Sequence, residues 1–244
     1  MNDTSPKHRF HAPHLAAGEV ALAGGEAHHA LHVLRLKASS AVELFDGRGR
    51  RAAGVVTGLS RREVSVKVDR VVGPLERSRP LIHLAFSPPK AKRLNWLLEK
   101  TAELGVASLR PIRCRRTVAM PDLSSAARER WEAICTSAVR QSAQVYLPEI
   151  LPPVSLDELL AAGDIQTGLL THARPPAQPL RQIAGKVETT SVTLLIGPEG
   201  GWTDEEVEAA LAAGMLAVRL GSTTLRVETA AVALMAGIIA LLGE

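Results

Sequence analysis

Apolar and polar positions alternate along the first part of the chain. This period of two predicts β-strands with one buried face. A short segment at 26–35 instead places Leu31, Val33 and Leu34 where one face of a helix could meet a core. We therefore expect a small β-rich domain over residues 1–73. Its predicted strands cover 42–45, 52–59 and 64–68.

Beyond the proline-containing stretch at 73–80, apolar runs alternate with amphipathic segments. Such alternation predicts an α/β domain with a mainly parallel sheet covered on both faces, which we place at 80–244. The run 192–196 fits a strand buried on both faces, although periodicity alone also allows a buried helical turn. The predicted strands are 81–86, 106–112, 168–172, 192–196 and 217–220, and the predicted helices are 90–105, 124–141, 203–214 and 229–242.

The last predicted helix, 229–242, is apolar on nearly every side. At about fourteen residues it is too short to span a bilayer. We therefore expect it to be buried in the core or against another subunit, and a homodimer is a reasonable inference. The N-terminus lacks the apolar segment of a signal peptide, so we expect a cytoplasmic protein that does not enter a membrane.

A glycine-rich turn, Gly197-Pro-Glu-Gly-Gly201, separates the strand at 192–196 from a helix. Thr203 and Glu206 have the spacing of a capping box, which predicts a helix start at Thr203. The turn matches neither the dinucleotide fingerprint nor the P-loop, which weakens the hypothesis of a nucleotide-dependent dehydrogenase. Because Glu199 would repel a pyrophosphate, we expect a neutral or cationic ligand. The alternative is a tight turn that binds nothing.

Charge and cysteine content narrow the class of protein only modestly. The formal net charge is +4 and the isoelectric point is about 9.4, which favours a polyanionic partner without establishing one. Cys114 and Cys135 lack metal-ligand spacing, and the nearby His8, His11 and His14 are joined by no acid or cysteine at ligand spacing. We therefore expect no metal.

Several cations lie at positions where their positive charge is unfavourable unless an anion binds nearby. Lys90, Lys92 and Arg93 begin a predicted helix, and cations there oppose its dipole. Arg115 and Arg116 belong to a dense basic cluster after the strand at 106–112. The alternative for both groups is ordinary solvated surface charge. The candidate RNA contacts are Arg9, Arg35, Lys90, Lys92, Arg93, Arg115 and Arg116.

Two motifs at a fixed separation carry a family resemblance. They are Gly197-Pro-Glu-Gly-Gly-Trp-Thr-Asp-Glu-Glu206 and Leu220-Gly-Ser-Thr-Thr-Leu-Arg-Val-Glu-Thr-Ala230. With them the chain resembles the RsmE family of SPOUT methyltransferases, which methylate the ring N3 of a uridine in 16S ribosomal RNA. Shorter matches extend the resemblance over almost the full length, at 28–35, 44–47, 93–106 and 141–150.

The resemblance implies a fold, a cofactor and a partner. The fold would be an α/β domain with a parallel sheet and a trefoil knot, preceded by a smaller PUA-like β-barrel for RNA. The family is dimeric through the knot, uses S-adenosylmethionine and acts on the small ribosomal subunit. Two rival functions stay open. One is another SPOUT RNA methyltransferase that modifies tRNA or a ribose 2′-hydroxyl, and the other is a non-catalytic ribosome-assembly factor that binds RNA.

The resemblance also implies the site residues. Arg226 would stabilise the deprotonated uridine, and Glu228 or Glu199 would accept the proton or position Arg226. The alternative role for each acid is a structural ion pair. Three strand-end loops would hold the cofactor through Leu170, Thr171, His172, Ile196, Gly197, Glu199, Gly200, Gly201, Leu220, Gly221, Ser222, Thr224 and Leu225.

The chain departs from the family pattern at four positions. Arg140 replaces a frequent Glu, Ala143 and Gln144 replace a Gly-Arg pair, and Ser39 lies near a position where a Gly is usual. We expect Arg140, Ala143 and Gln144 to lie together on one helix. These departures bear on RNA docking or the dimer interface more than on the cofactor site.

Overall fold

The computed structural model describes residues 8–121, 123–183, 185 and 190–243. Two units account for the chain. The first contains the residues up to Arg77 and the later segment Val139–Leu147, and the second contains Ser78–Ala138 together with the residues from Pro148 onward. The predicted domain ranges, 1–73 and 80–244, did not include this return of the chain to the first unit.

A five-stranded sheet forms the first unit, in the order β1-β3-β4-β5-β2. β1 pairs with β3 in parallel, and the other pairs are antiparallel. The strand predictions at 42–45, 52–59 and 64–68 are confirmed, and their alternating side chains are buried on one face. The strands are β1 (Arg9–His11), β2 (Gly18–Ala23), β3 (Ala41–Phe45), β4 (Arg51–Leu59) and β5 (Glu63–Val68).

The helical segment predicted at 26–35 is present, but it changes type along its length. Leu31 and Leu34 pack against the core as expected, whereas the expectation for Val33 was wrong, because it is 60% exposed. Helix α1 (Gly24–His28) continues directly into a π-helix, His29–Val33. Ala27 and Ala30 are buried on its inner side. The small side chains let this segment lie close to the sheet of the unit.

The returning segment Val139–Leu147 is fixed by several long-range hydrogen bonds. The Arg9 guanidinium donates to the backbone carbonyls of Val139, Arg140 and Gln144 at 3.3, 3.2 and 3.0 Å. The Tyr146 hydroxyl donates to the Leu75 carbonyl at 2.8 Å. These bonds join residues far apart in sequence, which explains why local patterns did not predict the return.

The second unit is built on a parallel sheet in the order β11-β13-β10-β12-β6-β7-β8, with β9 also paired to β7. Every pair in it is parallel. Val192–Ile196 is a strand rather than a helical turn, so that alternative is resolved. The strands are β6 (Leu81–Phe86), β7 (Ser108–Arg113), β8 (Glu149–Ile150), β9 (Val154–Ser155), β10 (Gly168–Thr171), β11 (Gln178–Pro179), β12 (Ser191–Ile196) and β13 (Leu216–Arg219).

Six helices are described alongside this sheet, and α7 packs on α2, α5, β6 and β12. Helix α7 buries Leu234, Met235 and Ile238 but leaves Ile239 and Leu241 partly exposed, at 36% and 47%. Among the described residues, no helix is long and apolar enough to cross a membrane. The helices are α2 (Ala91–Glu103), α3 (Ser125–Gln141), α4 (Leu156–Ala161), α5 (Leu180–Ile183), α6 (Asp204–Ala212) and α7 (Val227–Leu242).

Candidate functional site

A cavity of about 550 Å³ opens at the carboxyl ends of β10, β12 and β13. Ligands of parallel α/β sheets bind at such strand ends, because the loops there converge from neighbouring strands. Three loops and the start of α7 line it, all within the second unit. The lining residues include Arg116, 171–175, 196–202, Asp204, 218–221, 223–225, Val227, Ala230 and Leu234.

The loop after β12 requires glycine at two of its positions for different reasons. A Cβ added to Gly197 would lie 2.7 Å from the Trp202 ring, which is closer than real contacts allow. Gly201 has a φ of +72°, a conformation that costs most other residues energy. Its amide donates to the Pro198 carbonyl at 2.8 Å and closes the turn. The positions of Gly197 and Gly201 therefore match the backbone conformation of this loop.

Trp202 joins this loop to the end of β10. Its indole Nε1 donates to the Thr171 carbonyl at 2.7 Å, and the residue is only 6% exposed. Sequence reasoning included Trp202 in a family motif but assigned it no role. The available signal was a large aromatic residue directly after two glycines, since a buried indole usually finds an acceptor for its N–H group.

Glu206 fixes the start of α6 and the loop after β7 at the same time. Its Oε2 accepts from the Thr203 amide at 2.8 Å, and the Thr203 side chain accepts from the Glu206 amide at 3.3 Å. The predicted capping box is therefore confirmed. Its Oε1 accepts from the Arg115 amide at 2.7 Å, and Glu206 is only 6% exposed. A buried carboxylate that accepts two backbone N–H groups holds both segments firmly.

Arg116 lies at the wall of the cavity. Its Nη1 donates to the carbonyls of Gly200 and Trp202 at 2.9 and 3.3 Å. Sequence reasoning assigned Arg116 to RNA contact and missed this contact with the glycine-rich loop. The side chain is also exposed, so RNA contact stays a prediction for it and for the exposed Arg115.

Glu199 lines the cavity and forms an ion pair with Arg93 of α2. Both side chains are partly exposed, at 45% and 27%, so the pair adds little to stability. Its consequence is local, because Arg93 holds the acid at the tip of the glycine-rich loop. This is the structural role that the sequence left open for Glu199.

Most of the predicted cofactor-binding residues lie together around the cavity. Leu170 is the exception within β10, where it is fully buried in the core, and Ser222 is exposed but outside the lining. The predicted residues in the lining are Thr171, His172, Ile196, Gly197, Glu199, Gly200, Gly201, Leu220, Gly221, Thr224 and Leu225.

Arg226 and Glu228 flank the cavity without lining it. Their neighbours Leu225 and Val227 do line it, and Arg226 is the N-cap residue of α7. Within the described ranges, no hydrogen bond or ion pair engages the exposed Arg226 side chain. Glu228 is only 7% exposed, and its Oε2 has no hydrogen-bond partner there either. A buried acceptor without a donor is costly, and such groups often have a functional reason.

The other predicted RNA contacts differ in how free their side chains are. Lys90 and Lys92 are exposed at the start of α2, and Arg35 is exposed in the first unit. Arg9 instead forms an ion pair with Glu43 at 2.7 Å in addition to its three carbonyl contacts. Its guanidinium is therefore used mainly to hold the first unit together.

The cysteines offer no nucleophile or metal ligand. Burial raises the pKa of the Cys114 thiol and of the Cys135 thiol to about 12, so both stay protonated at neutral pH. In the part of the chain that the structure describes, no group of three or more His, Cys, Asp or Glu side chains could hold a metal ion.

Comparison with known proteins defines the class. A model of the RNA methyltransferase PUA domain matches residues 22–69, and a model of the RNA methyltransferase domain matches residues 76–239. The chain is thus an RNA methyltransferase with an N-terminal PUA domain. More specifically, the chain belongs to the ribosomal RNA small subunit methyltransferase E family.

Curated relatives and solved structures match nearly the whole chain. The Synechocystis enzyme is 30% identical over 226 residues, covering 91% of this chain and 73% of its own length. The Mycobacterium bovis enzyme is 32% identical over 226 residues, covering 88% and 84%. The Neisseria gonorrhoeae enzyme, crystallised with S-adenosyl methionine, is 30% identical with a TM-score of 0.85, covering 97% of this chain and 98% of that one. The resemblance drawn from the two motifs is confirmed.

Proposed function

We propose that this chain transfers a methyl group from S-adenosylmethionine to the ring N3 of a uridine in 16S ribosomal RNA. The observation that carries the proposal is the cavity at the ends of β10, β12 and β13, formed by the two motifs of this family. Its volume of about 550 Å³ is in the range of small-molecule sites.

The cavity residues fit this cofactor. A Cβ at Gly221 would meet no atom within 4 Å, so a ligand can approach the backbone closely there. The lining mixes the acids Glu199 and Asp204 with Arg116, Arg174 and Arg219, which suits a ligand that carries a sulfonium, an ammonium and a carboxylate. Backbone groups of Ile196, Gly201, Leu220 and Leu225 would hold the adenosine. When bound, S-adenosylmethionine supplies an activated methyl group.

Residues of the chain itself must manage the proton of the uridine. N3 carries a hydrogen, so its N–H bond must break as the N–C bond to the methyl group forms. A guanidinium without a partner, such as that of Arg226, stabilises the anionic ring of a base held in a dry pocket. The unpaired Oε2 of Glu228 is an acceptor for that proton or for the Arg226 guanidinium.

Arg226 provides the direct test of this assignment. We expect Arg226→Ala to slow methyl transfer about 100-fold, the usual cost of removing one electrostatic stabiliser. The affinity for S-adenosylmethionine should stay nearly unchanged, because Arg226 does not line the cavity. Single-turnover kinetics and calorimetry measure the two quantities separately. Arg226→Lys, which keeps the charge, should recover part of the rate, and an equal loss of rate and affinity would contradict the catalytic role.

The proposal extends to the organisation of the protein. Residues 1–73 would bind RNA and residues 80–244 would transfer the methyl group, with the trefoil knot of the SPOUT fold around the cofactor. The exposed Ile239 and Leu241 of the apolar helix α7 support a homodimer. The site of action would be the cytoplasm, on assembled small subunits.

A further inference from the structure

Two exposed histidine rings lie side by side on the helical segment of the first unit. His28 ends α1 and His32 lies in the π-helix, one turn further along. Their ring centroids are 4.8 Å apart, with an angle of 42° between the ring planes. Both residues are exposed, and neighbouring Val33 is 60% exposed. The outer side of this segment therefore presents rings and an apolar side chain to solvent.

The backbone of this segment is unusual in two places. π-helical turns are rare and occur frequently at functional sites. Arg35, two residues after the last residue of the π-helix, has a φ of +52°, which is uncommon for a residue other than glycine. The inner side is firmly packed, since Ala30 is fully buried and the His29 ring meets the edge of Phe10 at 6.2 Å. The exposed rings are therefore held on a rigid base.

Among the described residues of the first unit, no second pair of adjacent exposed rings is present, although the single His14 is exposed. Phe10 and Phe45 are fully buried. The Tyr146 hydroxyl is bound to the Leu75 carbonyl, and the Arg77 guanidinium covers its ring at 4.6 Å. Of the seven Phe, Trp and Tyr residues in the chain, Trp96 is 41% exposed but belongs to the second unit, so imidazoles are the exposed rings of the described first unit.

We propose that His28 and His32 form a stacking surface for an unpaired RNA base, with Arg35 contacting the adjacent phosphate. Unstacked bases of single-stranded RNA bind to aromatic side chains, histidine among them, and to arginine. The inference rests on the proposed function, because it takes RNA as the substrate. It adds a contact site for a single-stranded segment on the first unit, distinct from the methyl-transfer cavity of the second.

Binding of the full chain to a short single-stranded oligouridylate, followed by fluorescence anisotropy without cofactor, tests the surface. We expect His28→Ala with His32→Ala to weaken binding about tenfold or more, the usual cost of losing base stacking. The slope of log affinity against log salt should not change, because base stacking neutralises no phosphate. His28→Phe with His32→Phe should keep near-normal affinity. Arg35→Ala should reduce the slope by about 1.

Three outcomes would overturn the inference. The alanine pair could bind as tightly as the original chain, the phenylalanine pair could bind as weakly as the alanine pair, or the original chain could fail to bind the oligouridylate. Melting temperatures and the affinity for S-adenosylmethionine serve as folding controls. A chain that needs His28 and His32 to bind this RNA but transfers no methyl group would contradict the proposed function and leave this inference standing.

Discussion

Ala143 and Ser39 hold a backbone conformation that glycine adopts more readily. Their φ angles are +59° and +67°, in the left-handed region where a Cβ crowds the backbone. Both lie at or near positions where the related family usually has glycine. The departures noted in the sequence therefore have a physical consequence in the first unit, which carries strain at these two turns.

Replacing Ala143 by glycine should relieve this strain. We expect Ala143→Gly to raise the free energy of unfolding by about 0.5 kcal/mol, because relief of the left-handed strain exceeds the entropy that glycine adds to the unfolded chain. Ala133→Gly, at an exposed position inside α3, should lower it by about 1 kcal/mol. Urea denaturation measures both, and a loss of stability in Ala143→Gly would show that the turn is not strained.

Arg140, another departure, is engaged inside the first unit. It lies in α3, which ends at Gln141, so the expectation that Ala143 and Gln144 share its helix was wrong. Its Nη1 lies 3.1 Å from Oε1 of Glu26, and Oε2 of Glu26 accepts from the His11 amide at 3.1 Å. Burial, together with the nearby Arg140 charge, lowers the pKa of His29 and keeps this ring neutral at physiological pH. The positive charge of Arg140, at a position where the family often has Glu, is therefore paired with Glu26 inside the first unit.

At the scale of elements, two helices of the second unit begin with a capping box, which is exposed in one helix and buried in the other. Ser155 and Glu158 form a capping box at α4, and Thr203 and Glu206 form one at α6. Glu158 is exposed, whereas Glu206 is buried and also holds the Arg115 amide. The second box therefore fixes a cavity wall as well as a helix end.

The two boxes provide a matched pair of substitutions. We expect Glu206→Gln to lower the free energy of unfolding by about 1–3 kcal/mol, because the two backbone N–H groups bind different carboxylate oxygens and one of these becomes an NH2 group that cannot accept. It should also weaken binding of S-adenosylmethionine. Glu158→Gln should cost less stability and leave that affinity unchanged, since water reaches this box. Denaturation measures the free energy of unfolding, and calorimetry measures the affinity for S-adenosylmethionine. Equal losses of stability in the two variants would mean that the hydrogen bond from the Arg115 amide adds nothing to stability.

At the scale of the whole molecule, patterns along the chain predicted individual strands and helices but not which of them are neighbours in the fold. The strands at 81–86 and 192–196 were predictable because long apolar runs mark buried parallel strands. Helix α6 was predictable from Thr203 and Glu206. The two-residue strands β8, β9 and β11 and the short helices α4 and α5 offer too few residues for any period to be read.

The site was predictable only as far as its motifs extend. The alternation of strands and helices placed the three loops at the carboxyl ends of parallel strands, and the family resemblance supplied the cofactor that they would hold. The bonds from Trp202 to Thr171 and from Arg116 to Gly200 depend on which strands are neighbours in the sheet. Strand order is a long-range property, so the composition of a single loop does not specify it.

RNA docking is also a property of the whole molecule, because it depends on positive charge distributed over the protein surface. We expect Lys90→Ala with Lys92→Ala to reduce the salt slope of RNA binding by about 1.5, as for two lost phosphate contacts. Arg93 is kept, because it pairs with Glu199. Lys100→Ala in the same helix should leave the slope unchanged, since Lys100 already pairs with Glu99 and Glu103. An unchanged slope in the double variant would assign Lys90 and Lys92 to ordinary surface charge.

The central claim is methyl transfer to the ring nitrogen of a uridine in 16S RNA. The most direct measurement incubates the protein with methyl-labelled S-adenosylmethionine and small subunits that lack the modification, followed by mass spectrometry of the digested RNA. We predict label in 3-methyluridine from 16S RNA, and none when Arg226 is replaced by alanine within a single-turnover time. Label on a ribose 2′-hydroxyl, label on tRNA alone, or no transfer at all would contradict it.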